Sequence, residues 1–152
     1  MIAPDLPELV RRLKTAGKHI TIETAGIAYI SDMPCDLMSI SPKLGNSIPN
    51  DPKFKAKHKD SRLDIAILIE LIANYDYQLK FVVDSENDLS EVKDIISKIE
   101  NLDTKKVMLM PQAVTRDELL EKSPLVAELC KLSGYTFCQR LQIMLWNNQK
   151  GC

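Results

Sequence analysis

Four of five short apolar runs in this sequence end in residues that could bind a polar ligand. The residues at the run ends are Glu23 and Thr24, Ser41 and Lys43, Asp84 and Ser85, Pro111 and Gln112, and Trp146 and Asn147. Hydroxyls, an ammonium and amides close together suit a small molecule that carries a carboxylate or a ribose. Caps and turns are also polar, and they account for the same residues equally well. Both interpretations stay open at this stage.

Other catalytic chemistry has little support in the residue types. No GxSxG motif occurs, and the two histidines, His19 and His58, lie away from the run ends. Cys35, Cys130, Cys138 and Cys152 are not in CxxC spacing, so we expect ordinary thiols and no metal site. We therefore predict no catalytic side chain and no metal ligand in this chain.

Lysines form the remaining candidates. Lys53, Lys55, Lys57 and Lys59 alternate beside His58; a phosphate site is one interpretation, and a solvated loop is the favoured one. Lys80 lies within an apolar run, where a buried ammonium needs a partner or water. It is either a member of a structural ion pair, which we favour slightly, or a ligand contact.

The apolar patterns predict the elements that carry these residues. Strands are expected over 19–22, 36–40, 78–83, 106–110 and 140–146, and helices over 6–13, 63–73 and 89–99. Asp88 is expected to cap the helix at 89–99, with Glu91 as the capping-box partner. Thr115 opens a short helix, Ser123 and Pro124 begin another, and Gly134 ends it.

Alternating strands and helices predict an α/β fold with a mostly parallel sheet buried on both faces. About five strands fall short of the roughly eight in a closed barrel. We therefore predict a single domain over residues 1–152, a partial (β/α) barrel-type sheet with helices outside, incomplete at the N-terminal side. The sheet edge this leaves predicts self-association or poor solubility.

Composition narrows the function classes. The chain has 152 residues, 20 Lys and Arg against 21 Asp and Glu, and a formal net charge of −1. No global field attracts nucleic acid, and no apolar run reaches the roughly 18 residues that a membrane span needs. We therefore expect a cytoplasmic protein without nucleic-acid or membrane partners.

Five strings together resemble one family. They are HITIETAG at 19–26, DLMSISPKL at 36–44, YQLKFVV at 77–83, MLMPQ at 108–112 and RLQIMLW at 140–146. In this order they resemble the later part of 7-carboxy-7-deazaguanine synthase, a radical S-adenosylmethionine enzyme of queuosine and deazapurine biosynthesis. The resemblance covers nearly the whole chain.

The resemblance implies cofactors as well as an activity. In the family, a [4Fe–4S] cluster on three cysteines cleaves S-adenosylmethionine, and magnesium assists the conversion of 6-carboxy-5,6,7,8-tetrahydropterin to 7-carboxy-7-deazaguanine. The family's three-cysteine and GGEP motifs do not occur in this sequence. We therefore expect a truncated chain that is inactive alone and holds at most S-adenosylmethionine. The alternatives left open are a non-catalytic nucleoside-binding module, a split-enzyme subunit that needs a separate N-terminal half, and an unrelated α/β domain.

The resemblance also assigns site residues. Ser41, Pro42 and Lys43, then Gln112, Ala113, Val114 and Thr115, and secondarily Glu23 and Thr24, are expected at S-adenosylmethionine. Cys152 and Gln142 are expected at the pterin substrate, although Gln142 stands where the family has a histidine. Asn147 stands where the family has a glycine. A homodimer or a separate N-terminal half is the expected macromolecular partner.

Overall fold

A computed structural model describes residues 5–49, 51, 53 and 61–149. Its helices are α1 (Leu6–Thr15), α2 (Ile65–Asn74), α3 (Glu86–Ser97), α4 (Arg116–Ser133) and α5 (Leu141–Trp146), and its strands are β1 (Thr21–Thr24), β2 (Leu37–Ile40), β3 (Tyr77–Val83), β4 (Val107–Pro111) and β5 (Thr136–Phe137). Most of the basic cluster (Lys55, Lys57, His58 and Lys59) and Cys152 lie outside the described residues. None of the described helices is long and apolar enough to cross a membrane.

The strands form one open, all-parallel sheet in the order β1-β2-β3-β4-β5. Parallel neighbours place their carboxyl ends at the same edge, so the residues that follow each strand are brought together. The predicted fold class, a partial barrel-type parallel sheet with helices, is confirmed.

The two faces of the sheet differ in burial. In β3, Leu79, Phe81 and Val83 are fully buried and pack in one cluster with residues of α2, α3 and α4. Gln78, Lys80 and Val82 point to the other face and are only half-buried. One face therefore holds the apolar core, and the other carries polar groups that can meet a ligand.

The start of α3 differs from the prediction. Ser85 is the N-cap, and it forms a capping box with Asp88 at the third helical position. The assignment of Asp88 as the cap and Glu91 as its partner was therefore wrong, by one turn of helix. The error arose because Ser85, two residues after the end of β3, is an equally good cap.

The helix after Thr115 is continuous. Thr115 and Glu118 form the predicted capping box, and Gly134 ends the helix with φ 74°. The predicted second segment at Ser123 and Pro124 does not exist, because Pro124 lies inside α4. A serine and a proline can mark a helix start, but buried residues of the same helix lie on both sides of them: Leu119 packs with Ala113 and Ile143, and Val126 and Leu129 pack in the main core.

The predicted strand over 140–146 is wrong. These residues form α5, and the fifth strand is Thr136–Phe137, which pairs with β4. Ile143 packs against Ala113 and Leu119, while Leu141 and Leu145 are exposed. A short apolar run does not distinguish a strand from a helix by its pattern alone, and here the packing selects the helix.

Candidate functional site

A cavity of about 640 Å³ opens at the carboxyl edge of the sheet. Residues from separate strand ends and from α5 line it, among them Glu23, Thr24, Ser41, Lys43, Arg140 and Gln142. Polar groups that converge from several strands at this edge are typical of ligand sites in parallel α/β folds. The fold thus brings together five of the residues predicted from sequence: Glu23, Thr24, Ser41, Lys43 and Gln142.

Lys80 both forms an ion pair and lines the cavity. Its ammonium lies 3.0 Å from Glu23 Oε1, and its side chain is 14% exposed. Beneath it the buried Ser39 hydroxyl accepts a hydrogen bond from Gln78 Nε2 at 3.0 Å. The slightly favoured interpretation of Lys80, a structural ion pair, is confirmed, and its position in the cavity wall is an addition to it.

The loop after β2 carries Ser41, Pro42 and Lys43. The Ser41 amide donates to Thr24 O at 2.7 Å, which extends the pairing of β1 and β2 by one bond. Pro42 is buried and Lys43 is exposed. The lysine side chain therefore projects from the sheet edge, and the backbone that carries it is held in place. Lys43 lines this cavity and also a second one beside it.

The second cavity, of about 360 Å³, contains Gln112. Pro42, Lys43, Val82 and Arg140 also line it, so the two cavities share Lys43, Val82 and Arg140. Ser41, Lys43 and Gln112 therefore lie along one rim of the sheet. The Gln112 amide donates to Val83 O at 2.9 Å, and its side-chain oxygen accepts from Lys122 Nζ at 3.0 Å.

The next three predicted residues do not line either cavity. Ala113 is fully buried, and Val114 is 52% exposed. The amides of Val114 and Thr115 both donate to Glu118 Oε2, at 2.8 and 3.3 Å. The Thr115 hydroxyl accepts from the Glu118 amide, so this segment serves the start of α4.

Arg140 was missed by the sequence analysis. Its Nη1 donates to Ala113 O at 2.8 Å, and its Nε is buried with no hydrogen-bond partner among the described residues. No described carboxylate forms an ion pair with it or with Lys43, whereas Lys80 pairs with Glu23 and Lys122 pairs with Asp84. The placement of 140–146 in a strand hid this, because it put Arg140 at the start of an element instead of in the turn after β5.

Two further predicted strand-end positions have structural roles. Trp146 and Asn147 end α5 rather than a strand, so their assignment to the sheet edge was wrong. Asn147 has φ 55°, a backbone conformation that favours glycine, and its side-chain oxygen accepts from the Arg116 amide at 2.7 Å. Ser85 caps α3 and Asp84 pairs with Lys122, which agrees with the cap-and-turn interpretation for this strand end.

The described cysteines are free and dispersed. Cys35 precedes β2, Cys130 lies within α4, and Cys138 follows β5. Burial raises the pKa of all three thiols, which disfavours the thiolate form that binds metals. Within the described ranges, no group of three or more His, Cys, Asp or Glu side chains could hold a metal ion.

Known proteins resemble this chain along nearly its whole length, although no family model matches it. The 7-carboxy-7-deazaguanine synthase of Halobacterium salinarum is 38% identical over an alignment of 160 positions. The alignment covers 97% of this chain and 62% of that protein. The protein of the same name from Rhodopirellula baltica is 36% identical over 155 residues, which cover 99% of this chain and 60% of that protein. The chain thus spans about three fifths of the length of these relatives.

A solved structure shares the fold. The crystal structure of QueE from Escherichia coli superimposes with a TM-score of 0.62 at 18% identity, over 90% of this chain and 50% of that chain. The fold and site thus define an open, parallel α/β barrel segment with a polar cavity at its carboxyl edge. Within that class, the chain is similar to two 7-carboxy-7-deazaguanine synthases over about three fifths of their length. The resemblance predicted from the five strings is confirmed.

Proposed function

We propose that this chain forms the S-adenosylmethionine- and pterin-binding edge of a 7-carboxy-7-deazaguanine synthase. The reaction would convert 6-carboxy-5,6,7,8-tetrahydropterin to 7-carboxy-7-deazaguanine in queuosine and deazapurine biosynthesis, in the cytoplasm. The observation that carries this proposal is the convergence of Glu23, Thr24, Ser41, Lys43 and Gln142 on one cavity. The similarity to two synthases along the chain supports it.

The polar groups of the edge fit S-adenosylmethionine. Lys43 and Arg140 line both cavities, and neither pairs with a described carboxylate. A methionyl carboxylate would supply the missing negative charge, and the Ser41 and Thr24 hydroxyls suit a ribose. We propose Gln112 as a further contact from the second cavity, with backbone groups of 113–115 beyond it. Gln142 and Cys152 stay candidates for the pterin.

The described residues do not fit the [4Fe–4S] cluster. Its three thiolates would have to come from Cys35, Cys130 and Cys138, which lie on different parts of the fold and whose burial raises the pKa of each thiol. No described group of acidic side chains fits magnesium either. We therefore propose that the 152-residue polypeptide binds S-adenosylmethionine without cleaving it.

A second candidate is a binding module or one subunit of a split enzyme, whose other half would supply the cluster. The observation that favours it is the combination of a formed cavity with the absence of the three-cysteine motif from the sequence. Anaerobic reconstitution with iron and sulfide distinguishes the candidates. Stoichiometric cluster uptake by the purified 152-residue chain would contradict the proposed inactivity, and cleavage only after mixing with a cysteine-bearing partner would favour the split enzyme.

Calorimetric titration of the 152-residue chain with S-adenosylmethionine tests the site. Because a hydrogen bond to a charged group contributes about 1.5–3 kcal/mol, Lys43→Met should weaken binding by about 10-fold or more. Lys105→Met is the matched control, since Lys105 is exposed and precedes β4, away from the carboxyl edge. A folded wild-type chain that does not bind, or equal affinity in the two variants, would refute the proposed site.

A further inference from the structure

Two side chains that line neither cavity, those of Arg62 and Glu91, bind the backbone of the loop that carries Lys43. Arg62 Nη1 donates to Lys43 O at 2.6 Å, and Arg62 Nη2 lies 2.8 Å from Glu91 Oε1. The other Glu91 oxygen accepts from the Gly45 amide at 2.8 Å. We propose that Arg62 and Glu91 form a clasp that positions Lys43 for its ligand. This inference rests on the proposed function.

The clasp grips the loop on both sides of a buried anchor. Leu44 is 1% exposed and packs in the main core, and the two gripped residues, Lys43 and Gly45, flank it. The Arg62 and Glu91 side chains are 16% and 26% exposed, so water competes weakly for their hydrogen bonds. Together these contacts fix the backbone from which the Lys43 side chain projects.

A second contact from α3 holds the following residue. Asn46 Nδ2 donates to Val82 O at 3.0 Å and to Asp88 Oδ2 at 3.1 Å. Asp88 and Glu91 are three residues apart, so they lie on one face of the helix. Because Asp88 is also the capping-box partner of Ser85 at the start of α3, the loop is tied to the helix start and to the end of β3, which are rigid parts of the fold.

The two contacts of residue 62 require an arginine and cannot both be kept by a lysine. A planar guanidinium donates to the Lys43 carbonyl and the Glu91 carboxylate through two different nitrogens, as Arg62 does. A lysine keeps the charge but places one ammonium at the end of a flexible chain. Arg62→Lys should therefore retain part of the ion pair with Glu91 and lose the hydrogen bond to the Lys43 carbonyl.

Gly45 provides an independent way to disturb the clasp. A Cβ at this position would lie 3.2 Å from Glu91 Oε2, closer than an ordinary contact. Gly45→Ala should push the carboxylate away from the Gly45 amide without removing any charged group. If Arg62→Met fails to fold, this variant and Arg62→Lys still test the clasp.

Two readouts test the inference in the 152-residue chain: the affinity for S-adenosylmethionine and amide hydrogen exchange over residues 43–48. Arg62→Met should weaken binding by about 10-fold, with partial recovery in Arg62→Lys, since a loosened loop must be ordered on binding. Exchange should rise at Gly45 and Ser47 even without ligand. Arg12→Met, which breaks the exposed Arg12–Glu8 pair on α1, is the matched control and should change neither readout.

The outcomes separate this inference from the proposed function. If Lys43→Met weakens binding but Arg62→Met changes neither affinity nor exchange over 43–48, the clasp is refuted and the site stands. If Arg62→Met lowers only the melting temperature, Arg62 has a structural role alone and the clasp is again refuted. If Lys43→Met leaves binding unchanged, the proposed function itself fails, whatever Arg62 does.

Discussion

Gly26 follows β1 at the site edge, and replacing it with alanine should be costly for two separable reasons. Its φ is 73°, a left-handed conformation in which a Cβ is strained. An added Cβ would also overlap the Leu68 Cδ2 methyl and lie 3.0 Å from Ile40 Cγ2. Leu68 and Ile40 are both fully buried in the main core, so neither can move aside freely.

Gly17 offers a matched control for the backbone contribution. Its φ is 72°, and a Cβ there would meet nothing within 4 Å. Left-handed strain costs about 1–2 kcal/mol for a residue with a Cβ, so Gly17→Ala should lose about that much. Overpacking a core adds about 1–3 kcal/mol, so Gly26→Ala should lose about 2–5 kcal/mol of unfolding free energy.

Urea denaturation of both variants and the wild-type chain measures the difference directly. The slope of free energy against urea should stay unchanged, and the transition midpoint of Gly26→Ala should fall well below that of Gly17→Ala. For a chain of this size each kcal/mol lowers the melting temperature by about 2–4 °C, which provides a second measurement. Equal losses in the two variants would refute the packing argument and leave only the backbone strain.

Two further predictions concern the cap of α4 and the pH dependence of stability. Thr115→Ala removes the hydroxyl that accepts from the Glu118 amide, so it should cost about 0.5–2 kcal/mol in urea denaturation and leave the affinity for S-adenosylmethionine unchanged. A large loss of affinity would instead place that hydroxyl on the ligand. Hydrogen bonds from Lys14 and from the Ile20 amide lower the pKa of Asp36. Its contribution is therefore present above its ordinary pKa of about 3.9 and is lost as the pH falls through the lowered pKa. As the pH falls below about 4, the unfolding free energy of Asp36→Asn should decrease less than that of the wild type, as measured by urea denaturation at each pH. The same pH dependence in both proteins would contradict this.

The sheet was predictable because its strands carry strong local signals. In β3 every second residue is fully or nearly fully buried. The β-branched and aromatic residues at 77–83 predict a strand from the sequence alone. The C-terminal elements were not predictable in the same way. Thr136–Phe137 is only two residues long, and the run at 140–146 fits a helix and a strand equally well until Ile143 meets Ala113 and Leu119.

The site was predictable only where its residues follow their strands directly. Ser41 and Lys43 come immediately after β2, so parallel pairing alone brings them to the rim. Arg62 and Glu91 act on the same loop from 19 and 46 residues away. No local sequence pattern distinguishes them from the other charged residues, because their role exists only once α3 packs beside the loop.

The charge of the site edge differs from the charge of the whole chain, and this difference bears on the ligand. The formal net charge of the chain is −1, which argued against a general attraction for anions. At the rim, however, Lys80 and Lys122 are neutralised by Glu23 and Asp84, while Lys43 and Arg140 pair with no described carboxylate. The two unpaired cations line both cavities. The proposed attraction is local, between these cations and the ligand carboxylate, because the ammonium and sulfonium groups of S-adenosylmethionine are themselves positive. Raising the salt concentration screens this pairing, so it should weaken S-adenosylmethionine binding to the wild-type chain more than to Lys43→Met.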